Sequence, residues 1–228
     1  MPFDLDTYLN SLPDDTSVID VSNKGLKNLP DLSRFKNLIK LDCSVNQLIS
    51  LPPLNEKLEI LCCYNNRLTS IPPLNKNLKK LDCSSNLYLT SLPPLNENLE
   101  HLSCRHNRLT SLPQLNENLE HLDCVDNKLT SLPQLNKFLR YIGFKYNPIY
   151  NILSDLLYNF NNPYTNQILQ IKKLNKFRSL YYQLKFKKHF IKWLWKSREK
   201  QIMEKYHPKY LLENLQENTD LDEFLNNW

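Results

Sequence analysis

The stretch LEHLDCVDNKLTSLPQLN, residues 119–136, decides the fold because it is one copy of a unit that recurs along the chain. In each copy a cysteine lies two positions after a leucine, and an asparagine follows three positions later. The copies begin at Leu41, Leu61, Leu81, Leu102 and Leu122. Their asparagines recur every twenty residues, with one step of twenty-one where Leu87 or Tyr88 is an insertion. A fixed period of this size predicts a solenoid.

The shared pattern is L-x-x-L-x-C-x-x-N-x-L-x-x-L-P, and weaker copies begin at Ile19 and Tyr141. Lys24 takes the place of the asparagine in the first copy, and Phe144 takes the place of the cysteine in the last. Terminal repeats are expected to be irregular because they meet a cap instead of a neighbour. We therefore predict a solenoid of about seven repeats over residues 17–150.

These repeats, with LTSLPxL between units, resemble the short leucine-rich repeats of bacterial effector proteins, whose usual consensus is LPxLPxxLxxL. The resemblance covers roughly Leu38 to Ile149, and it carries no activity by itself. It implies an α/β repeat fold, a leucine-rich repeat solenoid of short parallel strands with an extended convex side. The chain departs from the usual consensus by its cysteines and by asparagine where a second proline is expected. Those asparagines are Asn55, Asn75, Asn96, Asn116 and Asn136.

The cysteines of the repeats are predicted to lie in the core. The segment around L-x-C should form a short strand whose leucine and cysteine point inward, where a free cysteine acts as a small hydrophobic side chain. A tetrahedral zinc site needs four converging ligands, which a straight row of cysteines does not supply, and disulfide geometry fits poorly as well. Cys62 is expected to point outward and to be the thiol that labels readily. The predicted core cysteines are Cys43, Cys63, Cys83, Cys104 and Cys124.

The asparagine that follows each strand is predicted to have a structural role. Its side-chain amide offers donors and an acceptor to backbone groups that leave the strand ladder at the turn. The outer segment LTSLPPLNEN is too short for a helix, and its prolines favour an extended return. This row comprises Asn46, Asn66, Asn86, Asn107, Asn127 and Asn147.

The outward side chains of the strands form a predicted concave face that mixes charges with aromatic, Arg and His residues, types enriched at protein interfaces. A simpler interpretation is that most of them are merely solvated. His101, His121 and Asp123 could in principle bind a metal or transfer protons. Because this face is open and offers no nucleophile partner, we predict neither metal binding nor catalysis there. The candidate partner-binding residues are Lys40, Asp42, Tyr64, Lys80, Asp82, His101, Arg105, His121, Asp123, Tyr141 and Lys145.

Both ends of the chain differ from the repeats. Residues 1–16 are predicted to form a helical cap with Asp4 or Asp6 as its N-cap.

Residues 151–228 are predicted to form a basic C-terminal helical region, in which residues 171–209 carry 13 Lys and Arg against two Glu. This region suits a helical subdomain, an anionic membrane surface or nucleic acid. Its WLWKSREKQIMEKYHPKYLLENL segment is similar to a tail found on repeat proteins of giant DNA viruses, which implies a viral product acting in an infected cell.

Taken together, these patterns favour a non-enzymatic module that binds an unidentified protein on the concave face, without a cofactor or a small-molecule substrate. The alternative is weak binding of nucleic acid or membrane through the basic C-terminal helices. Some effectors with similar repeats carry a ubiquitin ligase domain that uses a cysteine, but residues 151–228 contain none. No secretory signal or membrane-spanning run is recognisable, so we expect a cytoplasmic protein, in the host cytoplasm if viral.

Overall fold

The computed structural model describes residues 3–153 and residue 176. The chain divides into two units, Met1–Asn175 and Lys176–Trp228, and the described residues 3–153 belong to the first. The predicted basic helical region lies outside the described residues, apart from residues 151–153 and residue 176. The predicted boundary after residue 150 and the viral-type tail therefore stay predictions.

A single sheet of seven short parallel strands runs the length of the repeats, in the order in which the strands occur in the chain. The leucine or isoleucine at the centre of each strand pairs in register with its counterpart one repeat later, as Leu41 does with Leu61. This confirms the predicted parallel solenoid. The strands are β1 Val18–Asp20, β2 Lys40–Asp42, β3 Ile60–Cys62, β4 Lys80–Asp82, β5 His101–Ser103, β6 His121–Asp123 and β7 Tyr141–Gly143.

The connections between these strands are extended, and none of the six contains a helix. Each holds one or two prolines, which lack a backbone donor and favour extended backbone, so the segment returns without helical hydrogen bonds. The predicted extended convex side is thus confirmed.

The core consists of stacked rows of leucine side chains together with a row of the predicted cysteines. The five core cysteines are fully buried, and all six cysteines of the chain are free thiols. The Sγ atom of Cys124 donates to the carbonyl oxygen of Gly143 in the next strand at 3.1 Å. Burial raises the pKa of the Cys43 thiol to about 12, so this group stays protonated at neutral pH. The interpretation of these cysteines as core residues is confirmed.

The asparagine after each strand connects the backbones of two successive repeats. Asn66 accepts a hydrogen bond at Oδ1 from the backbone N–H of Leu48 at 3.0 Å. Its Nδ2 donates to the carbonyl oxygens of Cys43 and Cys63 at 3.0 and 3.2 Å. The side chain is buried, so these bonds satisfy backbone groups that water does not reach. The predicted structural role is confirmed.

The asparagines that replace the second proline form another row, whose role the sequence pattern did not reveal. Nδ2 of Asn75 donates to the backbone carbonyl of Asn55 at 2.7 Å and to that of Leu58 at 3.0 Å. The same pair of contacts recurs one repeat later at Asn96. These hydrogen bonds connect the outer segments of successive repeats at their C-terminal ends, just before the chain enters the next strand.

Helix α1, Leu5–Ser11, precedes β1, and Asp4 is its N-cap. The backbone N–H of Thr7 donates to Oδ1 of Asp4 at 3.1 Å. The guanidinium of Arg34 donates to the carbonyl oxygen of Leu9 and to Oδ1 of Asp14, the latter at 3.0 Å, which joins the helical segment to the first connection. We call the asparagines that follow the strands, from Asn46 to Asn147, the ladder asparagines. After the last strand, helix α2, Pro148–Leu153, begins directly after the final one.

Candidate interaction face

The candidate site is the open face of the sheet, which we define as the first and third residue of each strand together with the residue two positions further on. In-register pairing aligns these positions into columns, so that His101 lies beside His121 and His121 beside Tyr141. All eleven predicted partner-binding residues lie on this face, and every one of them is exposed or half-buried. Their role as a binding site is a proposal.

The aspartates of this face have a local structural task. In β2, Oδ1 of Asp42 accepts hydrogen bonds from the backbone N–H and the hydroxyl of Ser44. Asp82 caps the N–H of Ser84 at 3.0 Å, and Asp123 caps the N–H of Val125 at 3.2 Å. Each carboxylate thus satisfies a backbone donor just beyond the end of its strand. One carboxylate oxygen of each aspartate already accepts a hydrogen bond within the chain. Each aspartate therefore has fewer free acceptor sites for a partner than its charge suggests.

An aromatic row occupies the C-terminal half of the face. The ring centroids of His101 and His121 lie 5.7 Å apart, and those of His121 and Tyr141 lie 4.3 Å apart with the ring planes at 13°. Burial, followed by the nearby His101, lowers the pKa of His121 below its usual 6.5. His121 is therefore mainly neutral at pH 7 and presents a flat polarisable surface rather than a charge.

Gly143 makes room for the phenol of Tyr141. A Cβ atom at this position would lie 2.9 Å from the Tyr141 hydroxyl and 2.9 Å from Oδ1 of Asp123. The tyrosine therefore folds back over the glycine toward the aspartate, and a side chain at residue 143 would displace it. Burial, assisted by the Asp123 carboxylate, raises the pKa of Tyr141, so the hydroxyl remains protonated and able to donate.

Two cations stand beside this aromatic row. Arg105 and Lys145 follow β5 and β7, and their side chains are exposed on either side of the half-buried Val125. Within residues 3–153, neither cation has an ion-pair partner. The C-terminal half of the face thus combines a stacked aromatic surface with two cations that form no ion pair within the described chain.

The N-terminal half of the face is chemically different. Lys40 and Lys80 flank Ile60 in the first column, while Asp42 and Asp82 flank Cys62 in the second. Tyr64 is exposed two residues beyond Cys62. The structure thus separates the predicted residues into two groups: lysines and aspartates around Cys62, and aromatic rings around His121.

Cys62 points outward, as predicted, but it is only half-buried rather than freely accessible. Burial, followed by the carboxylates of Asp42 and Asp82, raises the pKa of its thiol above 9.0. Thiol reagents attack through the thiolate, so Cys62 should react more slowly than an ordinary exposed cysteine. The expectation of ready labelling needs this correction.

A further column beside the face has a left-handed backbone conformation. The residue before each ladder asparagine, or before Lys24 in the first repeat, has a φ angle between 54° and 58°. In this column Nδ1 of His106 lies 2.8 Å from Oδ2 of Asp126, and the final member, Tyr146, is 75% exposed. Asparagine at Asn23 and Asn65 was a weak signal for this geometry, since it tolerates the left-handed region better than most residues. The column comprises Asn23, Val45, Asn65, Ser85, His106, Asp126 and Tyr146.

Among residues 3–153 and residue 176, no group of three or more His, Cys, Asp or Glu side chains could hold a metal ion. In that same part of the chain, no helix has both the length and the apolar character needed to cross a bilayer.

Comparison with known proteins identifies the class of this fold. The profile of the family described as "Leucine Rich repeats (2 copies)" matches residues 56–97 and 97–137. These residues are leucine-rich repeats, and the seven-stranded sheet with its extended connections is a leucine-rich repeat solenoid. The resemblance inferred from the sequence is confirmed for the repeats. A search of curated proteins found no match.

Among solved structures, the repeats are similar to leucine-rich effectors of bacteria. YopM from Yersinia enterocolitica is 39% identical with a TM-score of 0.57, over 60% of this chain and 30% of that protein. The leucine-rich repeat domain of a Shigella effector is 30% identical with a TM-score of 0.55, over 62% of each chain. YopM from Yersinia pestis is 35% identical with a TM-score of 0.55, over 57% of this chain and 37% of that protein. The match thus spans less than two thirds of each of these proteins.

Proposed function

We propose that the protein is a non-enzymatic interaction module that binds a protein partner on the open face of its sheet. The observation that carries this proposal is the aromatic stack of His121 and Tyr141 beside Arg105, whose guanidinium has no ion-pair partner among the described residues. The rings keep apolar surface in contact with water, which a complementary partner would cover, and the guanidinium is available to pair with an acidic group of that partner.

The residue types support a protein as the occupant. Tyrosine and arginine are enriched among the residues that contribute most to protein interfaces, because they bury a large area and keep a polar end that can bond. His121 and Tyr141 form a rigid platform, so little side-chain entropy is lost when a partner covers it. Arg105 and Lys145 then favour a partner that is acidic where it meets this half of the face.

The similarity to bacterial effectors supports the same conclusion at the level of fold. In each column of the face a parallel solenoid presents one side chain per repeat at a regular spacing, which forms an extended surface rather than a pocket. We propose that the protein acts in the cytoplasm, and in the host cytoplasm if its source is a virus. The partner is unidentified, and the proposal involves no cofactor and no small-molecule substrate.

The test uses the full chain with two double variants that remove the same side-chain types. Y64A/R105A removes a tyrosine and a cation from the open face. K137A/F138A removes an aromatic residue and a cation that contact each other at 4.9 Å but lie before β7, outside the face. A partner is first captured from cytosolic extract and identified, and its dissociation constant is then measured with each purified variant.

We expect Y64A/R105A to weaken binding at least about tenfold, since each residue is a candidate anchor. K137A/F138A should bind as the parent chain does. Thermal unfolding of both variants should match that of the parent, because all four side chains are exposed. Unchanged affinity in Y64A/R105A would show that the open face is not the binding surface.

The alternative function rests on the composition of residues 171–209, which lie outside the described residues except residue 176. Binding of nucleic acid or an anionic membrane through this basic stretch would weaken steeply as salt rises. It would also be indifferent to Y64A/R105A. A salt series with the parent chain and this variant therefore distinguishes the two functions.

A further inference from the structure

The one-residue insertion in the fourth repeat creates an exposed apolar turn. The backbone N–H of Leu89 donates to the carbonyl oxygen of Asn86 at 2.9 Å, which closes a four-residue turn. Leu87 and Tyr88 occupy its two central positions and are 59% and 57% exposed. Asn86 still accepts from the N–H of Leu68 at 3.0 Å, so the ladder keeps its register and the extra residue is pushed toward solvent.

In the third, fifth and sixth repeats the single residue at this position is basic, whereas in the second repeat it is Gln47. The backbone N–H groups of Arg67, Arg108 and Lys128 donate to the carbonyls of Leu48, Leu89 and Leu109 at 2.9, 3.0 and 2.9 Å, which shows that the three residues are equivalent. All three side chains are exposed. Within the described residues, none of the three has an ion-pair partner.

Acidic groups are scarce on this edge of the solenoid. In the segments 64–74, 84–95, 105–115 and 125–135, which follow β3 to β6, the one acidic residue is Asp126. Its carboxylate lies 2.8 Å from Nδ1 of His106, so it has a partner of its own. The edge therefore presents a row of cations interrupted by one protruding leucine–tyrosine tip.

We propose that this edge docks on an anionic phospholipid bilayer, with Leu87 and Tyr88 inserted at the interface and Arg67, Arg108 and Lys128 against the lipid headgroups. A tip that projects from a row of turns offers no groove for a peptide, whereas it can enter the boundary between headgroups and acyl chains. Tyrosine suits that depth because its ring is apolar and its hydroxyl remains hydrated.

The spacing of the cations fits a flat, diffuse anionic surface. Arg67 and Arg108 belong to repeats two strands apart, so their backbones are separated by about 10 Å. Each basic residue near an anionic bilayer strengthens binding modestly, and the row adds these contributions without requiring a specific headgroup. The residues of this edge differ from those of the proposed protein-binding face, so the two inferences stand or fall separately.

The experiment measures amide hydrogen exchange of the full chain with vesicles of phosphatidylcholine alone or mixed with phosphatidylserine. We expect exchange at residues 84–92 to slow with the mixed vesicles and to stay unchanged with phosphatidylcholine alone. Residues 134–142, around the exposed Phe138, should be unaffected in both cases. This local readout separates the turn from any binding by the basic C-terminal residues. Slowed exchange confined to residues 154–228 would overturn the proposal.

Vesicle partitioning of matched variants provides the second measurement. L87S/Y88S should weaken partitioning roughly tenfold, as expected when two apolar side chains no longer leave water. R67Q/R108Q should weaken it roughly fivefold for each cation removed. The controls F138S and K57Q/K76Q, which change exposed residues elsewhere, should partition as the parent chain does. Equal losses in the L87S/Y88S and F138S variants would contradict docking through the turn.

Discussion

Tyr141 stacks on His121 with ring centroids 4.3 Å apart and ring planes at 13°, although the two residues belong to different repeats. The stack exists because Tyr141 and His121 are paired in register at the first position of adjacent strands. It half-buries His121 and thereby couples the protonation of that side chain to the stability of the fold.

The first prediction concerns the pH dependence of stability. Burial and His101 lower the pKa of His121 below the 6.5 of an unperturbed histidine, so the unfolded chain binds this proton more readily than the folded chain. The contribution of His121 to stability is therefore complete above pH 6.5 and is lost as the pH falls from there toward the folded pKa. Replacement by phenylalanine keeps a ring in the stack and removes the titration.

Urea unfolding at about pH 7.5 and about pH 5.5 tests this prediction. The loss of unfolding free energy between the two conditions should be smaller in H121F than in the parent chain. NMR titration of the parent should place the midpoint of His121 below 6.5. A midpoint at or above that value would contradict the effect of burial.

The second prediction concerns Cys62. In the native protein it should be the residue that a thiol reagent modifies first, since the other five cysteines are buried. The reaction should be slow at neutral pH, because burial and the carboxylates of Asp42 and Asp82 keep the thiol protonated. The isosteric change D82N retains an acceptor for Ser84 and removes the charge, so it should accelerate labelling several-fold at about pH 7.5.

D126N is the matched control, because it removes an aspartate that does not influence this thiol. Its labelling rate should equal that of the parent, and in denaturing urea all variants should show six reactive thiols. Equal native rates in D82N and D126N would mean that the neighbouring charge has no effect on Cys62.

The third prediction concerns the ladder asparagines. N66A removes the acceptor of the Leu48 N–H and the donor to two buried carbonyls, and it should lower the free energy of unfolding by about 3 kcal/mol or more. N98A is the control: its exposed Nδ2 donates to the carbonyl of Lys76 at 2.8 Å, and its loss should cost under about 1 kcal/mol. Chemical denaturation measures both values, and similar costs would refute the structural role of the buried amide.

The fourth prediction concerns backbone strain at Val45, which has a φ angle of 55°. A β-branched residue is disfavoured in this left-handed region, whereas asparagine is tolerated there, as at Asn65 with the same φ angle. V45N should therefore raise the free energy of unfolding by about 1 kcal/mol, and the reciprocal change N65V should lower it by about as much. If both variants shift stability in the same direction, backbone conformation is not the cause.

Much of the fold could be predicted from the sequence because the repeat makes each position visible several times. The inward leucines, the core cysteines and the structural asparagines each recur in a column, so one irregular copy does not obscure the pattern. The second asparagine row, with Asn75 and Asn96, is recognisable in the sequence, but its role is not. Its acceptors are backbone carbonyls that come close only after the solenoid has coiled.

The candidate face could be predicted as a set of residues but not as a site. Alternation along each strand identifies the outward side chains, including Arg105 and Tyr141, without showing which of them touch. The space above Gly143 that admits the Tyr141 phenol, and the engagement of Asp42 with Ser44, depend on side-chain orientation. Spacing in the sequence carries no information about that orientation.

The sequence by itself determined the period, the inward and outward faces and the in-register order of the strands, because these follow from local alternation and from a unit that can bury its leucines only against copies of itself. Only the tertiary structure decided that His121 and Tyr141 stack, that the column from Asn23 to Tyr146 takes the left-handed conformation and that Leu87 and Tyr88 project from a turn. These features depend on how the packed repeats position each backbone turn and side chain, and contacts between neighbouring repeats establish those positions only once the chain is folded.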